Sequence, residues 1–155
     1  MGLSGIILKK QEEADIFKLI RDVKEAAEKA GLEPRIESAL FDSLDGEGVY
    51  TTANIANTYE DIPEAQQWLM YIHSNDDWMV KFDWILMDGH LIRAIIIEDI
   101  TECEKILLDF LYEYFKLNPK DYFWDEFDWY YTQEDIVKLK QRDFDENWCY
   151  KNPHL

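Results

Sequence analysis

Apolar and polar positions along the chain recur at two spacings, one near three and a half residues and one of two, and the changes between them mark out the elements. From Gln11 to Ala30 the apolar residues Ile16, Leu19, Ile20, Val23, Ala27 and Ala30 fall at steps of three and four. Glu12, Glu13, Lys18, Asp22, Lys24, Glu25 and Glu28 take the remaining positions. This predicts an amphipathic helix with a core-facing stripe, ended by Gly31. Arg35–Leu44 and Val49–Ala56 alternate as strands do and flank Asp45-Gly46, which predicts a hairpin. Its loop, Asp42 to Glu47, lacks the regular ligand spacing of a calcium loop and reads as an ordinary acidic turn. Pro63–His73 fits both periods. Ala65, Trp68, Leu69 and Ile72 share a helical face, with Pro63 suited to a first turn, and this favours a short helix over the strand alternation of Trp68, Met70 and Ile72.

A second hairpin is predicted from Trp78 through Asp88-Gly89 to Ile97. Its second strand, Leu91–Ile97, is apolar on both faces apart from Arg93 and belongs in the middle of a sheet, Arg93 being ion-paired or extended toward water. Thr101-x-x-Glu104 has the form of a capping box opening a helix through about Lys116, with Cys103, Ile106, Leu107, Phe110, Leu111 and Tyr114 inward and Asn118-Pro119 stopping it. Thr132-x-x-Asp135 caps a last short helix that ends in Lys138, Lys140 and Arg142, cations suited to a helix C-terminus. The tail, with Phe144, Trp148 and Tyr150, packs back on the domain. The expected architecture is a single α+β domain over residues 1–155. Its mainly antiparallel sheet has about four or five strands, with the first helix and the helix from Thr101 on one face.

Composition narrows the function. With 155 residues the chain can bury roughly 70% of the surface its unfolded form exposes, so no disulfide or metal staple is needed. Asp and Glu number 33 against 16 Lys and Arg, a net charge of −17, in a chain that is still 47% hydrophobic and 15% aromatic. So many rings distinguish an acidic folded surface from a disordered tail. A field of this sign repels phosphate backbones and anionic lipid, attracts basic proteins and disfavours self-association. The expectation is therefore a monomer that binds neither nucleic acid nor membrane. No apolar window is long enough to span a bilayer and the few apolar residues before Lys9 are too short for a signal peptide, which places the protein in the cytoplasm.

Few catalytic chemistries find their parts. Cys103 and Cys149 have no CxxC or Cys/His spacing, and Cys103 is explained by packing. His73, His90 and His154 fall in a chain break, a turn and the terminus, and neither a GxSxG nor a glycine-rich phosphate loop is present. No catalytic residue, cofactor or metal ligand is assigned. Paired carboxylates are too abundant here to be a signal.

The most distinctive stretch is Asp121–Tyr131, DYFWDEFDWYY, seven rings and four acids without another residue type. So many rings cannot stay in water, nor can four acids be buried unpartnered, so the segment must lie at a border between core and solvent. It can pack as a satellite core, serve as a saccharide-stacking platform with carboxylates on sugar hydroxyls, or form a protein-binding hot spot. The hot-spot reading is favoured: Trp124, Trp129, Tyr130 and Tyr131 as anchors, Asp121, Asp125, Glu126 and Asp128 pairing with a basic partner. In its size, its charge and its acidic, aromatic C-terminal third, the chain resembles the cytoplasmic immunity proteins that bacteria pair with polymorphic or contact-dependent toxins. That resemblance implies a non-enzymatic inhibitor occupying a toxin's active-site cleft or exosite, the toxin often being a basic nuclease whose substrate the carboxylates imitate. The alternatives are a carbohydrate-active or carbohydrate-binding protein and an acidic regulator or scaffold.

Overall fold

In the computed structural model, which describes residues 3–42, 48–74 and 91–155, the first element is a strand, β1 (Gly5–Lys10), buried along nearly its whole length. Ile6, Ile7 and Leu8 follow one another because β1 lies between two other strands and is covered on both faces; no polar position marks a period of two, so alternation carries no signal for it. Six further strands follow: β2 (Glu33–Ile36), β3 (Phe41–Asp42), β4 (Val49–Ala56), β5 (Gln67–His73), β6 (Leu91–Ile97) and β7 (Tyr122–Trp124). Their order is β2-β4-β5-β6-β1-β7, with β3 also pairing β4, and every pairing is antiparallel. The fold is α+β as expected. The described residues hold seven strands, more than the four or five anticipated; β1, β5 and β7 were not expected as strands, and β3 is split from the strand that was predicted to run from Arg35.

Helices α1 (Ile16–Lys29), α2 (Glu104–Leu117) and α3 (Gln133–Gln141) join one core with the inward residues of the sheet, among them Ile7, Ile55, Met70, Ile72 and Ile95. The opposite sheet face carries Ile6, Leu8 and Leu91 with Ile96, Tyr122 and Trp124 packed against them. Tyr50, Tyr71 and His73 alternate with core residues of β4 and β5 and so stand on that same face, Tyr50 and His73 stacking at 5.7 Å. A bulge shifts the β1–β6 register between Ile7 and Leu8, and it turns both Ala94 and Ile95 toward the core.

The first helix starts later than its pattern predicts. Gln11–Glu13 is a 3₁₀ turn, and Asp15 caps α1 by accepting from the amides of Phe17 and Lys18. Its apolar stripe is inward as expected, but Asp22, placed on the polar side by the periodicity, is buried. At its end the Leu32 amide donates to Ala27 O at 2.8 Å and the Gly31 amide to Glu28 O at 3.1 Å, a Schellman pair that requires φ +78° at Gly31. A Cβ there would meet no neighbour. Gly31→Ala is therefore expected to cost about 1 kcal/mol through backbone strain alone, read by urea denaturation; an unchanged midpoint would show that the helix can end without the left-handed residue.

Three further expectations are corrected. Residues 63–73 do not form a helix: β5 begins at Gln67, directs Trp68, Met70 and Ile72 inward, and places His73 in a strand, not a break. Pairing with both β4 and β6 outweighs the nucleation cost that so short a helix could not recover. Helix α2 starts at Glu104, with Cys103 before it and no side-chain cap, so Thr101-x-x-Glu104 is not a capping box. The Glu104 carboxylate is occupied elsewhere, accepting from the Glu102 amide at 3.2 Å and the Tyr150 hydroxyl at 2.7 Å. The stretch predicted as one strand from Arg35 to Leu44 is split into β2 and β3; Thr51 Oγ1 donates to the carbonyls of Glu37 and Ala39 where the chain leaves the sheet. The turns at Asp45-Gly46 and Asp88-Gly89, the predicted strand from Trp78 to Met87, and His90 lie outside the described residues. At the chain's end the tail packs back through Trp148 and Cys149, both buried, with the Trp148 indole donating to Glu104 O at 2.8 Å, whereas Phe144 is exposed, contrary to expectation.

Candidate interaction surface

The acidic and aromatic stretch begins as β7, hydrogen-bonded to β1, and returns at Tyr131, whose amide and carbonyl pair with those of Phe123 at 2.8 and 2.9 Å. Between these anchors Asp125–Tyr130 forms a closed loop. Trp124 Nε1 donates to Phe127 O across it at 2.8 Å, and Glu126 takes a left-handed conformation, φ 69°. Along the strand part, Asp121, Phe123 and Asp125 point inward and Tyr122 and Trp124 outward, as a period of two requires.

The four acids therefore separate into two pairs. Contrary to expectation, Asp121 and Asp125 are interior residues, while Glu126 and Asp128 are exposed. Asp121 has a complete set of partners: Lys9 Nζ at 3.0 Å on one oxygen and the Tyr114 hydroxyl at 2.7 Å on the other. Lys9 also donates to Asn118 Oδ1, which receives Lys18 as well, and Asn118 Nδ2 donates to Asp22. This network fastens β1, α1, α2 and the start of β7 at one point. Burial raises the Asp121 pKa, and Lys9 opposes the rise. Burial together with the Asp121 carboxylate also holds Tyr114 in its neutral form.

Asp125 has no such set. Its carboxylate and the Trp68 indole nitrogen are the buried side-chain groups that lack a hydrogen-bond partner among the described residues. The amides of Asp125 and Phe127 lie close enough to favour the charged form but make no hydrogen bond of good geometry, and desolvation wins, raising the pKa to about 7. An acid in that state is not a surface ion-pair partner.

The rings divide in the same way. Tyr131 is fully buried and not an anchor on the surface; its hydroxyl receives the Trp129 indole N–H at 3.0 Å and lies 2.9 Å from Lys151 O and 3.2 Å from Trp148 O, tying the loop to the tail. Trp124, Trp129 and Tyr130 are half-buried. Phe127 and Trp129 stack at 4.7 Å with their planes 14° apart, and Tyr130 packs edge-on between Tyr122 and His154. The surface that remains is the Phe127–Trp129 pair flanked by Glu126 and Asp128, with Tyr130 beside it.

Sequence reasoning did not connect Lys9, Asp22, Tyr114 and Asn118 with this surface, took Phe127 only as part of a satellite core, and did not find the tail carbonyls that hold Tyr131. Both thiols are buried and raised, Cys103 to about 11 and Cys149 to about 12, which leaves them protonated at neutral pH. Among the described residues no three His, Cys, Asp or Glu side chains are grouped to hold a metal ion, and no helix is long and apolar enough to cross a membrane. No protein-family model matches this chain, and no curated protein or solved structure shows significant similarity to it.

Proposed function

We propose that this chain is a non-enzymatic protein-binding domain that inhibits a basic partner, in the manner of an immunity protein and its toxin, and that the Asp125–Tyr130 loop is its contact surface. The observation that carries the reading is the loop itself: a stacked Phe127–Trp129 pair flanked by exposed Glu126 and Asp128, on a chain of net charge −17. Aromatic anchors with charges at the rim are what tight protein interfaces use, and the long-range field selects partners of opposite sign and speeds their arrival. The two rings use their faces against each other, which favours docking against a protein over stacking along a sugar chain.

The test is capture of partners at low salt with the wild-type chain and with Glu126→Ala/Asp128→Ala/Trp129→Ala, followed by an activity assay on whatever basic protein is retained. The expected result is a basic protein that the wild type holds and inhibits. Trp129→Ala should weaken binding at least 30-fold, about 2 kcal/mol, chiefly through faster dissociation. Neutralising Glu126 and Asp128 should slow association and flatten its salt dependence. Inhibition that survives the triple change would move the contact surface elsewhere, and retention of no basic protein would remove the inhibitor reading.

A further inference from the structure

Two inward acids of the same segment, Asp121 and Asp125, are treated in opposite ways by their surroundings. Asp121 has a lysine, an amide-linked network and a tyrosine hydroxyl. Asp125 is 0% exposed, and neither oxygen is hydrogen-bonded among the described residues. Among the described residues the ionisable groups that interact with it are acidic: Glu126 on the loop, Tyr131 after it and Cys149 on the tail, with Asp135 of α3 acting on Tyr131 and Glu104 of α2 acting on Cys149. Among the described residues no cation acts on it to compensate an ionised carboxylate. A charge in that position has one remedy, which is to reach water, and the loop above it offers the route. Its residues 126–130 are exposed or half-buried, and within it the Trp124 indole-to-Phe127 carbonyl bond spans a left-handed glutamate.

We propose that Asp125 is a protonation-controlled latch: as a neutral acid it lies under the loop and keeps the Phe127–Trp129 pair in place, and on losing its proton it leaves the interior and opens the loop. Water takes the proton and the ionised carboxylate becomes solvated, so no other reactant is involved. The latch belongs to the free chain and operates whatever docks on the loop. Where the loop is the contact surface, as proposed above, it makes partner binding pH-dependent. The midpoint follows from the raised pKa of the buried carboxyl, about 7.

The experiment is tryptophan fluorescence of the whole chain from about pH 5 to about pH 9, a range that brackets an imidazole or a strongly raised carboxyl. It is made on the wild type, Asp125→Asn and His154→Gln, with Trp129→Phe to assign the signal. The wild type should show a transition near pH 7 that Trp129→Phe diminishes, that His154→Gln retains and that Asp125→Asn abolishes. Persistence of the transition in Asp125→Asn, its loss in His154→Gln, or no transition in the wild type would overturn the latch. Should Asp125→Asn fail to fold, the side-chain carboxyl ¹³C shift of Asp125 in the wild type decides the matter. Titration near 7 together with loss of amide protection at 126–130 supports the proposal, and titration in the ordinary carboxylate range overturns it.

Discussion

Replacing Lys9 with Met is expected to remove about 3–5 kcal/mol of stability at neutral pH, the usual result of leaving a buried charge without its counterion. Lys9 is 4% exposed and Asp121 3% exposed, with 3.0 Å between the ammonium and the carboxylate. Methionine keeps the aliphatic stem but strands Asp121 Oδ1; Asn118 retains Lys18 and Tyr114 still donates to Oδ2. The deficit should depend on pH in a definite direction. Burial already raises the Asp121 pKa with Lys9 present, and without the lysine it must rise further. The folded variant then holds a proton that the folded wild type releases at lower pH, so its loss relative to wild type grows as pH rises through the wild type's own raised Asp121 pKa toward that of the variant. Chemical denaturation across pH checks this, and Lys9→Met/Asp121→Asn should recover part of the loss because no charge is stranded. A cost below about 1 kcal/mol for Lys9→Met at neutral pH would mean that the network does not fasten the sheet to the helices.

The same network bears on function without touching a partner. It fixes β1 and the start of β7, and the candidate loop is the continuation of β7. The six-residue loop is held from both ends, at one by this ion pair and at the other by the buried Tyr131 hydroxyl, which Trp129 and the tail engage. Loss of binding in a Lys9 variant is therefore expected to follow loss of folding, whereas Trp129→Ala is expected to lose binding while the chain is still folded, at a smaller stability cost from its lost bond to Tyr131.

How far these features could be read in advance follows from what each depends on. The α3 cap was legible because it is local: the Thr132 hydroxyl and the Asp135 carboxylate satisfy each other's backbone amides within four residues. The central place of β6 was legible because LIRAIII has no polar face to give to water. Strand β1 was not, since six residues covered on both sides show no period. The start of α2 was misplaced because Glu104, the required residue of the box, is engaged by Tyr150, 46 residues away. In the acidic segment the border between core and solvent was correctly inferred from composition, but the assignment of acids to sides was not. A period of two from Asp121 through Phe123 to Asp125 was present in the sequence and marks both acids as sharing the buried ring's face. Recognising Lys9 as the counterion for one and nothing for the other requires contacts more than 100 positions apart.

Asp125→Asn is expected to be more stable than wild type at about pH 8, with an advantage that shrinks on acidification. The sign follows from the proton inventory. The unfolded chain releases the Asp125 proton near the usual 3.8, whereas the folded chain holds it to about 7. Between those values the unfolded state is the one that gives up the proton, so this group's contribution to stability is fully present below about 4, declines as pH rises, and is gone above about 7. Across about pH 5 to 8 the decline amounts to roughly 2–3 kcal/mol at 1.36 kcal/mol per pH unit. Asparagine has no proton to lose, so the difference between the two denaturation curves isolates Asp125 from His154 and from the other carboxylates. The size of the difference carries information about the loop as well. If the carboxylate can escape only by global unfolding, the full 2–3 kcal/mol appears; if the loop opens at small cost, the difference levels off at that opening cost, and protection of the 126–130 amides falls over the same pH interval. Parallel curves for the two proteins would mean that Asp125 ionises in place at no penalty. That is incompatible with a carboxylate that is fully buried, lacks a hydrogen bond among the described residues and lies beside Glu126, Tyr131 and Cys149.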